Sequence, residues 1–223
     1  MSIEIAKSAV LCDRVSLGEG SVVGEFVLLG SIPRGHAPGD LATQIGSYAH
    51  IRSHTVIYAG NIIGAHLQTG HGVMIRELNQ IGDNVSIGTH SVVEHHVQIG
   101  SNVRIHSNAF IPEFSVLEDG AWVGPNAVLT NALYPLSPDA KTNLKGPHLL
   151  TGAKVGANAT LLPGVVIGAN ALVGAGSVVV RDVPDGKVVV GNPARVIRDV
   201  GDLVAYQVAQ LVNGNHLAKV GTN

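Results

Sequence analysis

An aliphatic residue recurs at every sixth position through most of the chain, and this period constrains the fold more than any other feature. Over residues 45–129, fourteen of the fifteen sixth positions are aliphatic, and only Thr69 departs from the pattern. The same register is present over 5–29 and again over 155–179. Because successive side chains of a strand alternate between its two faces, this period with a turn in each repeat indicates short strands bent around corners. Three hexads then close one triangular coil of eighteen residues.

The composition agrees with a narrow, coiled interior. Aromatic residues make up only 4% of the 223-residue chain, which contains 28 glycines and is 45% hydrophobic. Stacked repeats bury a core only against their neighbours, so the ends of such a stack need caps. We therefore predict one all-β domain over 1–198, with loop excursions at 31–44 and 135–154. A short helical tail is predicted over 199–223, with Asp202 as its N-cap.

Charge, cysteine content and hydropathy exclude several classes of protein. The net charge of -2 offers no general attraction to nucleic acid, and the lone Cys12 excludes an internal disulfide bond. No stretch approaches the roughly 18 apolar residues of a membrane span, and the first ten residues lack the pattern of a signal peptide. We expect a soluble cytoplasmic protein with no membrane or nucleic-acid partner.

The hexads, written as an aliphatic residue, glycine, two variable residues, a small residue and a variable one, resemble those of the hexapeptide-repeat acyltransferases. The resemblance covers about residues 5–198 and implies a left-handed parallel β-helix, a homotrimer, and donor and acceptor grooves between neighbouring prisms. The segment 174–198, "GAGSVVVRDVPDGKVVVGNPARVIR", resembles the acyl-CoA-binding end of these enzymes. The residues that this resemblance implies are Ala157 and Ala175, with backbone contacts to the pantetheine arm, and Arg181 and Arg198, with contacts to CoA phosphates. Solvated surface charge is the alternative for both arginines.

Residues 113–135, "EFSVLEDGAWVGPNAVLTNALYP", are similar to a segment of acyltransferases that act on nucleotide-linked amino sugars. The resemblance implies an acyl-CoA-dependent N-acyltransferase, with acetyl as the default acyl group and the amine of a nucleotide-linked amino sugar as the acceptor. Ala132 and Leu136 depart from the family pattern, which has an acidic and a basic residue there. An O-acetyltransferase on the same fold remains an alternative.

A column of polar residues spaced eighteen apart carries the candidate chemistry. Its members share the third hexad position and should lie on adjacent coils about 4.8 Å apart, facing outward or at a corner: Glu77, His95, Glu113 and Asn131. Amine acylation needs a base that is active near neutral pH, so His95 and Glu113 are the candidate catalytic residues. Asn131 is a candidate for binding a sugar hydroxyl, and Glu77 for substrate binding beside His95. The alternative is a polar ladder that only stabilises neighbouring strands.

The remaining polar side chains near this column have simpler interpretations or belong to another face. Glu94 follows Arg76 by eighteen residues, which predicts an ion pair between coils, and His96 is interpreted as a packed or interfacial ring. A second polar cluster on the preceding face is interpreted either as a substrate groove or as an interfacial surface; it comprises His54, His71, His90, His106 and Asn108. From this cluster we take His71, His90 and His106 as candidate substrate-binding residues.

A zinc enzyme resembling the γ-class carbonic anhydrases is the rival from another chemical class. It would use His54, His90 and His95, and the last two have the five-residue separation found in that class. In an uninterrupted coil, the 36 residues between His54 and His90 place them about 9.6 Å apart along the axis, which is too far for a shared ion within one chain. We therefore expect no metal. A non-catalytic scaffold is a third possibility.

Overall fold

The computed structural model describes residues 2–205, which form 28 short strands in three sheets. Each sheet is one face of a prism, and the chain visits the three faces in turn. Sheet A contains β1 Glu4–Ile5, β4 Val22–Val23, β7 His50–Ile51, β10 Gln68–Thr69, β13 Ser86–Ile87, β16 Arg104–Ile105, β19 Trp122–Val123, β22 Lys154–Val155, β25 Leu172–Val173, β27 Lys187–Gly191 and β28 Ala194–Asp199. Sheet B contains β2 Val10–Leu11, β5 Leu28–Ser31, β8 Val56–Tyr58, β11 Met74–Ile75, β14 Val92–Val93, β17 Phe110–Ile111, β20 Val128–Leu129, β23 Thr160–Leu161 and β26 Val178–Val179. Sheet C contains β3 Val15–Leu17, β6 Thr43–Ile45, β9 Ile62–Ile63, β12 Gln80–Ile81, β15 Gln98–Ile99, β18 Val116–Leu117, β21 His148–Leu149 and β24 Val166–Ile167.

The predicted eighteen-residue coil is confirmed by the strand register. Ile75 of β11 pairs in parallel with Ile57 of β8 on one side and with Val93 of β14 on the other. The fold is therefore the predicted parallel β-helix, built from six-residue repeats. None of the residues from 2 to 205 lies in a helix long and apolar enough to cross a membrane.

The sixth-position residues form the core. Ile57, Ile75 and Ile111 are completely buried, and burying such a side chain stabilises the fold by about 1.5 to 3 kcal/mol. Thr69 keeps its place in the column, because its Oγ1 accepts a hydrogen bond from the Arg52 amide at 2.9 Å. The polar exception in the sequence is thus a buried, satisfied side chain.

The corner backbone and the close stacking of the coils explain the asparagines and glycines of the repeat. The third residue after each core aliphatic usually adopts a left-handed backbone conformation; at Asn84, for example, φ is +55°. This conformation favours glycine and asparagine among the twenty residues. The residue directly after the core aliphatic is packed against the next coil, and a Cβ added at Gly70 would lie 2.2 Å from the Thr89 amide nitrogen. Tight stacking at this position thus accounts for the glycines of the repeat.

Both predicted loop excursions are shorter in the structure than their predicted ranges of 31–44 and 135–154. The first excursion is shorter than predicted at both ends, because β5 ends at Ser31 and β6 begins at Thr43. The prediction for the second is wrong at its end, because β21 (His148–Leu149) and β22 (Lys154–Val155) lie within it. Leu149 stands six residues before Val155, so the hexad register had already resumed after the excursion.

The end of the helix departs from the repeat. Strands β27 and β28 form an antiparallel hairpin on sheet A, which the hexad pattern did not predict because the aliphatic register ends at Val179. A short 3-10 helix follows over Val200–Asp202. Most of the helical tail predicted for 199–223 lies outside the described residues.

Candidate active site

The chemistry-bearing residues lie at two corners of the prism, on either side of sheet B. The A–B corner is formed by the residues between each sheet A strand and the following sheet B strand, and the B–C corner by those between sheet B and sheet C. The predicted column of Glu77, His95, Glu113 and Asn131 lies at the B–C corner, because each follows a buried sheet B residue by two positions.

Three members of the column contact one another in turn along the axis. His95 Nε2 lies 3.1 Å from Glu113 Oε1, and Asn131 Nδ2 donates to Glu113 Oε2 at 2.5 Å. The side chains of His95 and Glu113 are each 25% exposed, so solvent reaches them from one side only. Glu113 therefore orients the imidazole of His95, and Asn131 orients Glu113, as the eighteen-residue spacing predicts.

Glu77 lies at the same corner but is the buried member of the column. It is a buried residue, 9% exposed, and Arg76 donates to its two carboxylate oxygens at 2.8 and 2.9 Å. Burial is the largest single effect and acts to raise the pKa of Glu77, but the hydrogen bonds from Arg76, a backbone hydrogen bond and the charges of Arg76 and His95 together hold the pKa below its ordinary value. The carboxylate is committed to the adjacent arginine, which the spacing rule could not show because it compares residues eighteen apart. His95 thus has its direct carboxylate contact with Glu113 alone.

Arg76 connects this corner to its neighbours. Its Nη1 donates to Glu94 Oε2 at 3.2 Å, which confirms the predicted ion pair between coils. The guanidinium carbon also lies 5.1 Å from the centre of the Tyr58 ring. Two carboxylates and an aromatic face therefore fix the arginine beside the column.

His96 contributes a contact that the sequence interpretation missed. Its Nδ1 lies 2.8 Å from Nδ1 of His95, with the two rings almost perpendicular. The ring of Phe114, one coil further along, is 5.7 Å from that of His96 and 6.0 Å from that of His95. The signal was present in the sequence as the adjacent pair His95-His96, but the column rule assigned the two residues to separate positions.

The histidines of the second cluster spread along the A–B corner. Nδ1 of His71 lies 2.8 Å from Ser53 Oγ, and the rings of His106 and Trp122 are 4.5 Å apart. His71 and His106 line one open groove on sheet A, whose other polar side chains include Arg52, Gln68 and Arg104. His90 is exposed on the same corner but does not line this groove.

Ala157 and Ala175 lie further along the A–B corner, one coil apart. At His71, the amide donates to the side chain of the corresponding residue on the next coil, Thr89 Oγ1, at 3.2 Å. The corresponding residue for Ala157 is Ala175, which has no side-chain oxygen, so both alanine amides lack an acceptor among residues 2–205. Two free N–H groups one coil apart are suited to binding amide oxygens of an extended ligand.

The two predicted cofactor arginines are not brought together. Arg198 is exposed on the edge strand β28 of sheet A. Arg181 is exposed at the B–C corner, two coils beyond Asn131 in the column position. The alanines and the arginines thus lie at different edges of one prism.

A third polar cluster, at the corner between sheets C and A, was not predicted. Glu118 accepts hydrogen bonds from the Thr151 hydroxyl at 2.8 Å and the Thr151 amide at 2.9 Å, and lies 2.8 Å from His148 Nε2. These contacts, the Thr151 hydroxyl first among them, hold the pKa of Glu118 below its usual range. The excursion makes these partners 30 and 33 residues apart, which hides them from the eighteen-residue rule. The cluster secures the returning strand β21.

The histidines of the zinc alternative do not converge within the chain. His54 and His90 lie at the A–B corner, whereas His95 lies at the B–C corner. Across the described part of the chain, no three histidine, cysteine or acidic side chains are grouped so as to hold a metal ion.

The outward face of sheet B, between the two corners, is mostly apolar, with Thr160 of β23 as a polar member. Its outward positions directly precede the buried ones and include Val56, Met74, Val92, Phe110, Val128 and Val178. Met74 is 36% and Val128 40% exposed. On sheet A the same positions include Gln68, Arg104 and Lys154. Apolar faces of this kind are typical of protein interaction surfaces.

Comparison with known proteins agrees with the repeat. Residues 80–113 and 146–181 match the family model described as bacterial transferase hexapeptide (six repeats). The chain is 40% identical over 151 residues to 2,3,4,5-tetrahydropyridine-2,6-dicarboxylate N-acetyltransferase of Alkaliphilus metalliredigens, which covers 68% of this chain and 61% of the relative. It is 47% identical over 45 residues to dTDP-3-amino-3,6-dideoxy-α-D-galactopyranose 3-N-acetyltransferase of Aneurinibacillus thermoaerophilus, which covers 20% of this chain and 23% of the relative.

Among solved structures, a hexapeptide-repeat acetyltransferase of Vibrio cholerae complexed with acetyl-CoA aligns with a TM-score of 0.37 and 25% identity, over 60% of this chain and 70% of the other. The chain spans between 40% and 61% of the length of the first curated relatives that it matches. The relatives named above share acetyl transfer but differ in the molecule that receives the acetyl group.

Proposed function

The chain belongs to the family of bacterial hexapeptide-repeat transferases, and on that premise we propose that it is an acyl-CoA-dependent N-acyltransferase. The acyl group is acetyl by default, and the acceptor is the amine of a nucleotide-linked amino sugar. The acceptor class rests on the segment 113–135 and on the likeness to an amino-sugar N-acetyltransferase. The lone cysteine of this chain, Cys12, is suited to the reducing cytoplasm, where we place the protein.

The observation that carries the proposal is the row of contacts that runs from His95 through Glu113 to Asn131. When an amine attacks a thioester, the tetrahedral intermediate must lose a proton from nitrogen before the thiolate departs. An imidazole held against a carboxylate accepts that proton near neutral pH, and the carboxylate stabilises the resulting cation. The contact of 3.1 Å between His95 and Glu113 supplies this pair.

The donor site of the proposal runs from the A–B corner to the edge strand β28 of sheet A. The free amides of Ala157 and Ala175 suit the amide oxygens of a pantetheine arm, and exposed Arg198 suits a phosphate of CoA. Ala157 lies three coils beyond His95, or about 14 Å along the axis. A long, flexible arm can span that rise with its thioester beside the column.

A single prism holds the donor and catalytic residues at opposite edges of sheet B, and for this reason we propose a homotrimer. Packing the apolar face of sheet B against a neighbour would bury that face and bring the A–B corner of one chain towards the B–C corner of another. His71 and His106 would then line the groove that receives the acceptor. Arg181, at the B–C corner, would reach donor phosphates held by the neighbouring chain.

Transfer to a hydroxyl on the same fold is the second candidate, because a histidine paired with a carboxylate also activates oxygen nucleophiles. One assay separates the two. Metal-free protein is incubated with acetyl-CoA and a panel of nucleotide-linked sugars, in matched amino and hydroxyl forms, while thiol release and acetylated product are followed. We expect release with an amino form only. Release with hydroxyl forms alone would establish the O-acyltransferase, and no release with any acceptor would refute acyl transfer to this class of substrate.

A further inference from the structure

His96 occupies an exposed corner position, with its ring directed at the catalytic histidine. Its backbone is left-handed, with φ at +56°. The Nδ1 atoms of His95 and His96 are 2.8 Å apart, and the ring centroids 4.9 Å apart. Two like nitrogens at this distance need one proton between them, so one imidazole donates and the other accepts.

The contacts of His95 decide which ring is the donor. Its Nε2 lies 3.1 Å from Glu113 Oε1, and a carboxylate oxygen favours a protonated nitrogen at that distance, so we assign the proton of neutral His95 to Nε2. Nδ1 of a neutral His95 is then an acceptor, and Nδ1 of His96 must donate to it. In this arrangement both nitrogens of His95 are occupied. Nε2 of His96 keeps its lone pair and has no partner within residues 2–205.

We propose that His96 is the base that meets the acceptor amine, and that His95 and Glu113 take up the charge behind it; this inference rests on the proposed acyl transfer. The N–H bond of the tetrahedral intermediate breaks as Nε2 of His96 gains the proton. The proton on Nδ1 of His96 moves to Nδ1 of His95, leaving a neutral His96 and an imidazolium on His95. The reverse relay delivers one proton to the departing thiolate, so the histidine pair is restored at the end of each turnover.

The surrounding charges favour the positive charge on His95. Glu113 lies beside it, and Asn131 holds that carboxylate in place. Glu77, the other carboxylate near this ring, is neutralised by Arg76 through two hydrogen bonds, and Glu94 is bound to the same arginine. His96 faces Phe114 rather than an acid. A proton that His96 accepts is therefore more stable after it has moved to His95.

Phe114 acts as a positioning residue for this pair. It is 44% exposed and adopts φ of +63°, a backbone conformation that bulky side chains rarely occupy. Its ring packs against both histidine rings and limits the rotation of His96.

The matched test compares His96→Asn with His66→Asn. Asparagine already occupies the same left-handed corner position at Asn84, Asn102, Asn108, Asn126, Asn158 and Asn170, so both variants keep a compatible backbone. His66 is a corner histidine stacked on Tyr48, remote from the column. With the acceptor found in the panel, we expect kcat of His96→Asn to fall about 100-fold and the acid limb of its kcat/KM profile to be lost, while His66→Asn stays within about twofold of the wild type. The double variant His95→Asn/His96→Asn should be no slower than the worse single variant, because the two rings act as a unit.

A tautomer measurement tests the relay without turnover. In protein labelled with ¹⁵N at histidine, the resting wild type should show His96 protonated at Nδ1 and unprotonated at Nε2. The opposite tautomer, or a His96→Asn enzyme within about threefold of wild type with its acid limb intact, would overturn the relay and make His95 the direct base. A wild type inactive on every acceptor would instead contradict the proposed function, and the tautomer result would still decide the arrangement of the pair.

Discussion

Replacing Arg76 by methionine isolates the buried charge beside the column. Arg76 donates two hydrogen bonds to Glu77 and one to Glu94, and the side chains of Arg76 and Glu77 are 29% and 12% exposed. Methionine fills much of the volume but supplies no positive charge. An uncompensated buried charge typically costs about 3 to 5 kcal/mol. Because water reaches the arginine site, we expect the lower end, a loss of about 3 kcal/mol in the free energy of unfolding at pH 7.5.

The stability lost in Arg76→Met should depend on pH in a definite direction. In the wild type the pKa of Glu77 lies below its ordinary value, so its stabilising contribution is present above that ordinary value and is lost as the pH falls through the folded-state pKa. In Arg76→Met the burial of Glu77 remains while the hydrogen bonds that lowered its pKa are gone. Protonation then relieves the variant as the pH falls, so the difference between variant and wild type shrinks on acidification to about pH 5.

The assay is urea unfolding at pH 7.5 and pH 5, at equal protomer concentration because association adds to apparent stability. The double variant Arg76→Met/Glu77→Gln removes the charge and should recover all but about 1 kcal/mol. Glu94→Gln, which removes only the more exposed pair, should cost at most about 1 kcal/mol. The reasoning is refuted if Arg76→Met lies within about 1 kcal/mol of the wild type at pH 7.5, or if the glutamine fails to rescue it.

Two further predictions concern the stack and the assembly. Gly70→Ala should lower the free energy of unfolding by about 1 to 3 kcal/mol in the same urea assay, because its Cβ would meet the Thr89 backbone at 2.2 Å. Gly176→Ala is the control: nothing lies within 4 Å of its Cβ and only the positive φ opposes the change, so it should cost about 1 kcal/mol. Equal losses in the two variants would contradict the packing argument. Mixing the slowed His95→Asn subunits with donor-site Ala157→Trp subunits, followed by dissociation and reassembly, should raise the activity above that of either variant alone if each site combines two chains. Mixtures no more active than the separate variants would contradict a shared site.

The fold was predictable because a strict period leaves little freedom. An aliphatic at Ile57, Ile75, Val93 and Ile111 can be buried only if these positions stack, and stacking fixes the coil and its corners. The same spacing correctly placed His95 beside Glu113, and Arg76 beside Glu94. A spacing rule compares residues on successive coils, so it predicts contacts along the helix axis best.

Contacts that leave the axis were not predictable in this way. Glu77 is buried by its own neighbour Arg76, and His96 turns towards His95 within one corner. Side-chain rotation decides both contacts, and a hexad position gives no rotamer. Glu118 meets His148 and Thr151 only after an excursion that adds fourteen residues to the coil has broken the register. The antiparallel hairpin β27–β28 likewise begins where the repeat stops.

The most direct test of acyl transfer by the B–C corner column is single-turnover chemistry in His95→Asn and Glu113→Gln. The rate of acetyl transfer is measured with acetyl-CoA saturating and the acceptor bound, and acetyl-CoA affinity is measured in parallel. We expect each substitution to slow transfer by about ten-fold or more while the Kd for acetyl-CoA is unchanged, because the column moves a proton and does not hold the donor. Unchanged transfer rates in both variants would contradict it and leave the column as a ladder that only stabilises neighbouring strands.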